Sequence, residues 1–164
     1  MKPRIYLAGP TVFQADADDA GARLVALCAK YGCEGLYPLD FALDGDMSAA
    51  TIQSACLREL RTAQAVVADL SPFRGPHADD GTAFELGFAH ALGLPIWAYT
   101  TDARPLIERI PGTRSSTGHV RDNAGWLIEN FGRAHNSMLS ETVVHLSSTP
   151  EESIRLAAAA LLQG

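Results

Sequence analysis

Ala65-Val66-Val67-Ala68-Asp69, then a run of helical period over residues 82–92, then Pro95-Ile96-Trp97-Ala98-Tyr99: this central passage decides the fold. The outer runs are apolar without alternation, as strands covered on both faces are, and the segment between them predicts a crossover helix. Strand, helix, strand in that order make a parallel pair. Working outward, Arg4-Ile5-Tyr6-Leu7-Ala8, Gly35-Leu36-Tyr37-Pro38 and Val143-Val144-His145-Leu146 supply three more strands. Further helices are expected at about 17–31, 48–63, 123–130 and 150–162. The expectation is an α/β fold: a five-stranded parallel sheet, order 2-1-3-4-5, with helices on both faces. Ligands bind such sheets beyond the carboxyl ends of the strands, so residues 9–13, Asp40 and residues 69–80 should border one crevice. Residues 100–122 form the longest irregular stretch, the kind of loop that serves as a lid or binding element.

Composition narrows the class of molecule. With 164 residues, 47 % of them apolar, one sizeable core and a single domain over 1–164 are expected. The net charge of −6 and the absence of any Lys/Arg run leave no electrostatic footprint for nucleic acid. Met1-Lys2-Pro3-Arg4 leads into too few apolar residues for a signal peptide, and no apolar run reaches membrane-spanning length. Cys28, Cys33 and Cys56 are an odd number without an export signal, which fits a reducing cytoplasm, and each is read as a buried thiol. His77, His90, His119, His135 and His145 have no metal-ligand spacing, so no metal is expected. Gly9 stands in Ala8-Gly9-Pro10, without the glycine spacing or lysine of dinucleotide and triphosphate loops.

Chemistry concentrates in residues 69–93. From Gly81 to Pro95 the only acid is Glu85, among the apolar Ala83, Phe84, Leu86, Phe88 and Ala89. A carboxylate in a helix built for burial is paired, protonated or functional. Thr82-x-x-Glu85 reads equally as a capping box, with Glu85 folded back on the helix start. The surroundings favour function, because Asp69, Asp79 and Asp80 converge on the same crevice. Positive charge at a helix start favours an ionised carboxylate while apolar packing and nearby acids oppose it, so one carboxyl can attack while another holds a proton. Retaining glycosidases divide labour in this way, and cleavage of an N-glycosidic bond needs the same parts.

The combined motifs carry a resemblance. Ile5-Tyr6-Leu7-Ala8-Gly9-Pro10-x-Val12-Phe13, then Ala68-Asp69-Leu70-Ser71-Pro72-Phe73-Arg74-Gly75 with Asp79-x-Gly81-Thr82-Ala83-Phe84-Glu85-Leu86-Gly87, and finally Asn136-x-Met138-Leu139, resemble the nucleoside 2-deoxyribosyltransferase family over about residues 4–145. The resemblance implies a flavodoxin-like three-layer sandwich, no cofactor, and exchange of the base on a 2'-deoxynucleoside for a free nucleobase. It implies Glu85 as nucleophile, Tyr6 as the hydroxyl orienting it, Asp69 on the sugar and Asp79 as proton donor or shuttle at the base. Asp79 is preferred to Asp80 because the family's acid stands six residues before its glutamate. Phe13 would lie against the base, and Gly9, Asp40, Phe73, Arg74 and Gly81 would border the substrate. Asn136, with Met138 beside it, would reach a neighbouring subunit's site and bind the sugar 5'-hydroxyl, which implies at least a dimer.

Plain structural roles stand beside these. Tyr6 suits a core, Phe13 and Phe73 suit loop anchors, Phe73-Arg74-Gly75 and Asp40 suit turns, and Asn136 suits a helix cap. A related hydrolase acting on 2'-deoxynucleoside 5'-monophosphates is the nearest rival, and Arg114-Ser115-Ser116-Thr117 would be its phosphate cradle. A phospho-receiver module would use Asp69, but such modules resemble one another in an acidic pair after the first strand and a lysine after the last, both missing here.

Overall fold

The structure is a computed structural model and describes residues 1–41 and 48–163. In chain order its elements are β1 (Arg4–Ala8), α1 (Ala17–Lys30), β2 (Glu34–Leu36), α2 (Ala49–Leu60), β3 (Ala65–Asp69), α3 (Asp80–Ala91), β4 (Ile96–Tyr99), α4 (Leu106–Arg109), β5 (Gly112–Arg114), β6 (Val120–Asp122), α5 (Ser137–Ser140), β7 (His145–Ser147) and α6 (Pro150–Gln163). Short 3-10 turns at Pro10–Phe13 and Pro38–Phe41 follow β1 and β2.

Every pairing in the main sheet is parallel, and its order is β2-β1-β3-β4-β7. This is the expected 2-1-3-4-5 arrangement of a flavodoxin-like sandwich. All five residues of β3 are buried, because helices cover both faces of the central strand. Side chains alternate between those faces. Ile5, Leu7, Val67, Trp97 and Tyr99 pack with Leu24 and Cys28 of α1 and Ile154, Ala157 and Ala158 of α6. Tyr6, Ala8, Val66, Ala68, Ile96 and Ala98 pack on the other side with Leu60 of α2 and Leu86 and Ala89 of α3. The pleat therefore assigns Tyr6 to the face that α3 covers.

Several boundaries differ from expectation, each for a local reason. β2 stops at Leu36, and Pro38, with no N–H to give a ladder, opens a 3-10 turn instead. Ser48 caps α2, its hydroxyl accepting from the Thr51 N–H at 3.2 Å. α3 begins at Asp80 because Asp79, not Thr82, is its N-cap. No helix forms over 123–130. There Asp122 Oδ1 accepts from the N–H groups of Ala124 and Trp126, both at 2.9 Å, and Gly125 takes φ 89°, which turns the chain back toward β6. The expected loop at 100–122 instead holds α4 and the antiparallel β5–β6 hairpin, over a small core of Leu106, Val120 and Ile128. Among the described residues no helix is long and apolar enough to cross a membrane.

Gly21 of α1 lets the helix close on the ring of Tyr37, which a Cβ at Gly21 would overlap. Tyr37 is 2 % exposed, and its hydroxyl donates to the Ala17 carbonyl at 3.2 Å, so the ring cannot swing away. Helix propensity alone gives Ala an advantage of about 1 kcal/mol over Gly. Gly21→Ala is expected to reverse that sign, with overpacking of about 1–3 kcal/mol lowering the urea midpoint at unchanged m value.

Candidate functional site

Because Tyr6 faces α3 and Glu85 lies on the inner side of that helix, their side chains meet across the layer. The Tyr6 hydroxyl donates to Glu85 Oε1 at 2.6 Å, a short, charge-assisted geometry when the carboxylate is ionised. Tyr6 is fully buried. The capping-box reading of Glu85 gives way here, since α3 has its own cap: Asp79 Oδ2 accepts from Thr82 N–H at 2.8 Å and from the Thr82 hydroxyl at 2.9 Å. The earlier helix start also puts Glu85 in the second turn. Helix-end charge fades within the first turn, so the Tyr6 hydroxyl, rather than the helix, favours ionised Glu85.

The electrostatics of this carboxyl follow from its surroundings. Burial pushes Glu85 up from the ordinary 4.5 to about 7, the Tyr6 bond works against that rise, and the negative charge of Asp79 adds to it. Burial, and then the Glu85 charge, push the Tyr6 hydroxyl far upward, which keeps it a proton donor at all physiological pH. Cys56 of α2 also stands within hydrogen-bond reach of Tyr6.

Glu85 lies on the wall of a cleft of about 560 Å³, in the range of small-molecule sites. Gly9, Val12 and Phe13 line it after β1, Pro38 and Leu39 after β2, Ile52, Cys56 and Leu57 on α2, and Asp79, Gly81, Thr82 and Phe84 around the start of α3. The walls are apolar and the polar groups few, which suits a planar heterocycle with one reactive end. Gly81 keeps that wall open, because a Cβ there would stand 3.1 Å from Asp79 Oδ2.

Not every expected residue lines the cleft. Phe13 and Phe73 stack, centroids 5.5 Å apart and 22° between planes, and the Arg74 guanidinium lies 5.4 Å from one ring centroid and 4.7 Å from the other. Arg74 takes φ 52°, so the loop after β3 bends sharply beside the Phe13 ring. Asp69 ends β3 with Oδ1 accepting from Ser71 N–H at 2.9 Å and the Tyr99 hydroxyl in reach. Gly9 is required beside it, for a Cβ on Gly9 would lie 2.8 Å from that of Asp69. Asp40 is exposed and lies outside the lining, although Pro38 and Leu39 are in it. Asn136 and Met138 are exposed and do not line the cleft of their own chain. Asn136 caps α5 through Met138 N–H at 3.0 Å while its amide donates to Glu129 Oε1 at 2.7 Å.

Sequence reasoning missed the α2 wall and Glu129. Ile52 and Cys56 are four residues apart, on one helix face, and that spacing was the available signal. Cys56 is half-buried at the cleft, unlike the buried Cys28 and Cys33, which corrects the reading of three buried thiols. Among the described residues no three His, Cys, Asp or Glu side chains converge as a metal site.

Known proteins resemble this chain in sequence and fold. The family model described as nucleoside 2-deoxyribosyltransferase matches residues 5–138. An uncharacterized protein of Schizosaccharomyces pombe is 30 % identical over 158 residues, covering 83 % of this chain and 74 % of the relative. A 2-deoxyribosyltransferase from Leishmania mexicana superposes with a TM-score of 0.81 at 32 % identity, over 96 % of this chain and 97 % of that one. A CMP N-glycosidase of Clostridium botulinum, at 14 % identity and a TM-score of 0.51 over 98 % of this chain and 99 % of that one, shares the fold alone. Matched from its first strand through the Asn136-x-Met138 segment, the chain belongs to the nucleoside 2-deoxyribosyltransferase family.

Proposed function

We propose that this chain transfers the 2-deoxyribosyl group of a 2'-deoxynucleoside from one nucleobase to another, through an ester on Glu85. The observation that carries the reading is the 2.6 Å bond from buried Tyr6 to Glu85 on the wall of an apolar cleft. Tyr6 engages Oε1, leaving Oε2 to attack the anomeric carbon. As that C–O bond forms, the C–N bond breaks, and its electron pair stays on the departing base, which takes a proton with Asp79 as donor or shuttle. A second base then attacks the same carbon, gives up its proton and frees Glu85. The apolar walls exclude water, and Phe13, backed by Phe73 and Arg74, stacks on the base. Asp69 holds the sugar, with Gly9 and Gly81 leaving room for the substrate and Asp40 near the base end. No cofactor is needed, because the substrate supplies both leaving group and electrophile.

In this reading Asn136, aimed by Glu129, completes the cleft of a second copy of residues 1–164 by binding the 5'-hydroxyl, with Met138 beside it. The rival hydrolysis of deoxynucleoside monophosphates gains little support from Arg114-Ser115-Ser116-Thr117. Arg114 donates to the Gly118 carbonyl at 2.8 Å, and the Ser115 and Thr117 hydroxyls bond each other at 2.8 Å, closing their own hairpin. Incubating deoxynucleosides and deoxynucleoside monophosphates, each with and without free adenine or cytosine, followed by chromatography, tests the reading. Base exchange on the nucleoside is expected, and base release from the monophosphate alone would replace the reading with hydrolysis.

Glu85→Gln should abolish exchange yet stabilise the protein in mild alkali. The folded carboxyl titrates near 7 against 4.5 when unfolded, so its contribution is whole below pH 4.5 and is lost as pH rises through 7. Above that range, holding the buried charge costs about 3 kcal/mol. Denaturant curves should show the variant more stable than the parent at pH 8 and no more stable at pH 4. An equal difference at both would show that Glu85 titrates normally.

The same carboxyl must be ionised to attack. The rate of sugar transfer from donor to enzyme should therefore rise with pH and level off above about 7. Tyr6→Phe removes a bond that favours the ionised form, so the limb should move to higher pH, with the plateau down about tenfold or more. A profile unmoved by Tyr6→Phe would exclude the orienting role.

A shared cleft makes two defective chains complementary. Glu85→Ala and Asn136→Ala homo-oligomers should each be nearly inactive, and unfolding and refolding them together should restore activity through mixed assemblies whose cleft has both residues intact. Mixtures no more active than their parts would place Asn136 in the service of its own chain.

A further inference from the structure

One face of α2 forms a whole wall of the Glu85 cleft. Ala49, Ile52, Gln53, Cys56 and Leu57 recur at the three- and four-residue spacing of a helix ridge, and all of them line it. Gln53 is the polar exception on this wall, exposed at the cleft and making no hydrogen bond to any described residue. Cys56, almost one turn further along, packs against the cluster that holds Tyr6 and so stands beside the reacting carboxyl. Three residues of helix rise about 4.5 Å, which sets Gln53 roughly the width of one heterocycle from the reacting end.

The other polar groups of the cleft already have work. Asp79 Oδ2 accepts from the Thr82 N–H and hydroxyl, and Tyr6 holds Glu85 Oε1. In the proposed reaction the second Glu85 oxygen takes the sugar, and Asp79 serves the proton of the ring nitrogen. A nucleobase also carries an exocyclic amino or oxo group, to which the side chains of Leu39, Ile52, Leu57 and Phe84 offer nothing. Desolvating such a group without a partner is costly. A primary amide presents a donor and an acceptor side by side, and half a turn about its last bond exchanges their places. It therefore matches an amino group beside an unprotonated ring nitrogen, as in adenine and cytosine, and equally an oxo group beside a ring N–H, as in hypoxanthine and thymine.

We propose that Gln53 reads the exocyclic edge of the nucleobase, and that by turning its amide it admits amino and oxo bases alike. The inference deepens the proposed base exchange and rests on it. An acid or a lysine at this position would offer acceptors or donors alone. The amide takes either order and disfavours a base that has no group at that edge. Gln53 touches the base and not the anomeric carbon, so it sets which bases are held and leaves the chemical step to Glu85.

The test is a cycle between the side chain and the base. Adenine, hypoxanthine and unsubstituted purine, which lacks the exocyclic group, serve as acceptors for the parent and for Gln53→Met, with kcat/KM measured for each. Methionine keeps the length and helix propensity of glutamine at an exposed position, so the variant should fold. The parent should use adenine and hypoxanthine within about threefold of each other, and purine at least about tenfold less well. Gln53→Met should lower adenine and hypoxanthine by that same factor, mostly through KM, and leave purine nearly unchanged, because purine never made the lost bond. A general disturbance of the cleft would lower all three together, and base ratios equal in parent and variant would overturn the proposal. A parent that used only one of adenine and hypoxanthine would overturn it too. Calorimetric titration of the three free bases without a sugar donor gives the same comparison in the absence of turnover. Bases bound in a Gln53-dependent order but never exchanged would sink the transfer reading and keep the edge reader, whereas exchange with an order indifferent to Gln53 would do the reverse. Neither binding nor exchange of any base would remove both.

Discussion

The hydrogen bond between Tyr6 and Glu85 is the constraint around which the rest of the molecule is arranged. It joins the first strand to the helix after the third, seventy-nine positions apart in the chain, and holds a carboxylate where burial alone would neutralise it. Burial raises the affinity of Glu85 for a proton while the tyrosine lowers it, and the balance leaves its pKa pushed up to about 7. A fully solvated glutamate would be ionised but weakly nucleophilic through hydration, and an unsupported buried one would be neutral. The site holds the acid between those limits, at the expense of stability.

Other features serve that placement. The parallel order β2-β1-β3-β4-β7 brings the carboxyl ends of β1 and β3 side by side, which is where the loops bearing Gly9, Phe13, Asp69 and Phe73 emerge. Gly9 admits the Asp69 side chain at a distance no other residue would tolerate. Asp79 caps α3 and so sets the rotation of the helix that aims Glu85 inward, while its own charge raises the Glu85 proton affinity. The same side chain serves two ends here, for the acid that caps the helix also lines the cleft.

Away from the cleft, the β5–β6 hairpin and the segment after it obey different rules. Local side-chain capture of backbone donors by Asp122 and glycine turns shape this region, and its core is small. The segment after the hairpin also holds the buried, neutral His135, whose Nε2 has no hydrogen-bond partner among the described residues, and the Asn136 cap bound to Glu129.

Sequence by itself determined the sheet, its strand order, and the side chains gathered near its carboxyl ends. Buried parallel strands need continuous apolar runs, and those runs in β1, β3 and β4 leave few alternatives; the crossover rule then limits their order. It also singled out Glu85, a lone acid in an apolar helix. Whether that acid capped the helix or faced Tyr6 was open, because both readings satisfy the same tetrapeptide, Thr82-x-x-Glu85. Only the tertiary structure decided it, by starting α3 at Asp80 and by the pleat that turns Tyr6 toward that helix. The false helix over 123–130, the α2 wall with Cys56, and the Glu129 bond that holds Asn136 were hidden for a related reason. Each depends on which polar atom finds which partner in space, and periodicity along a chain records the burial of faces but not the pairing of donors with acceptors.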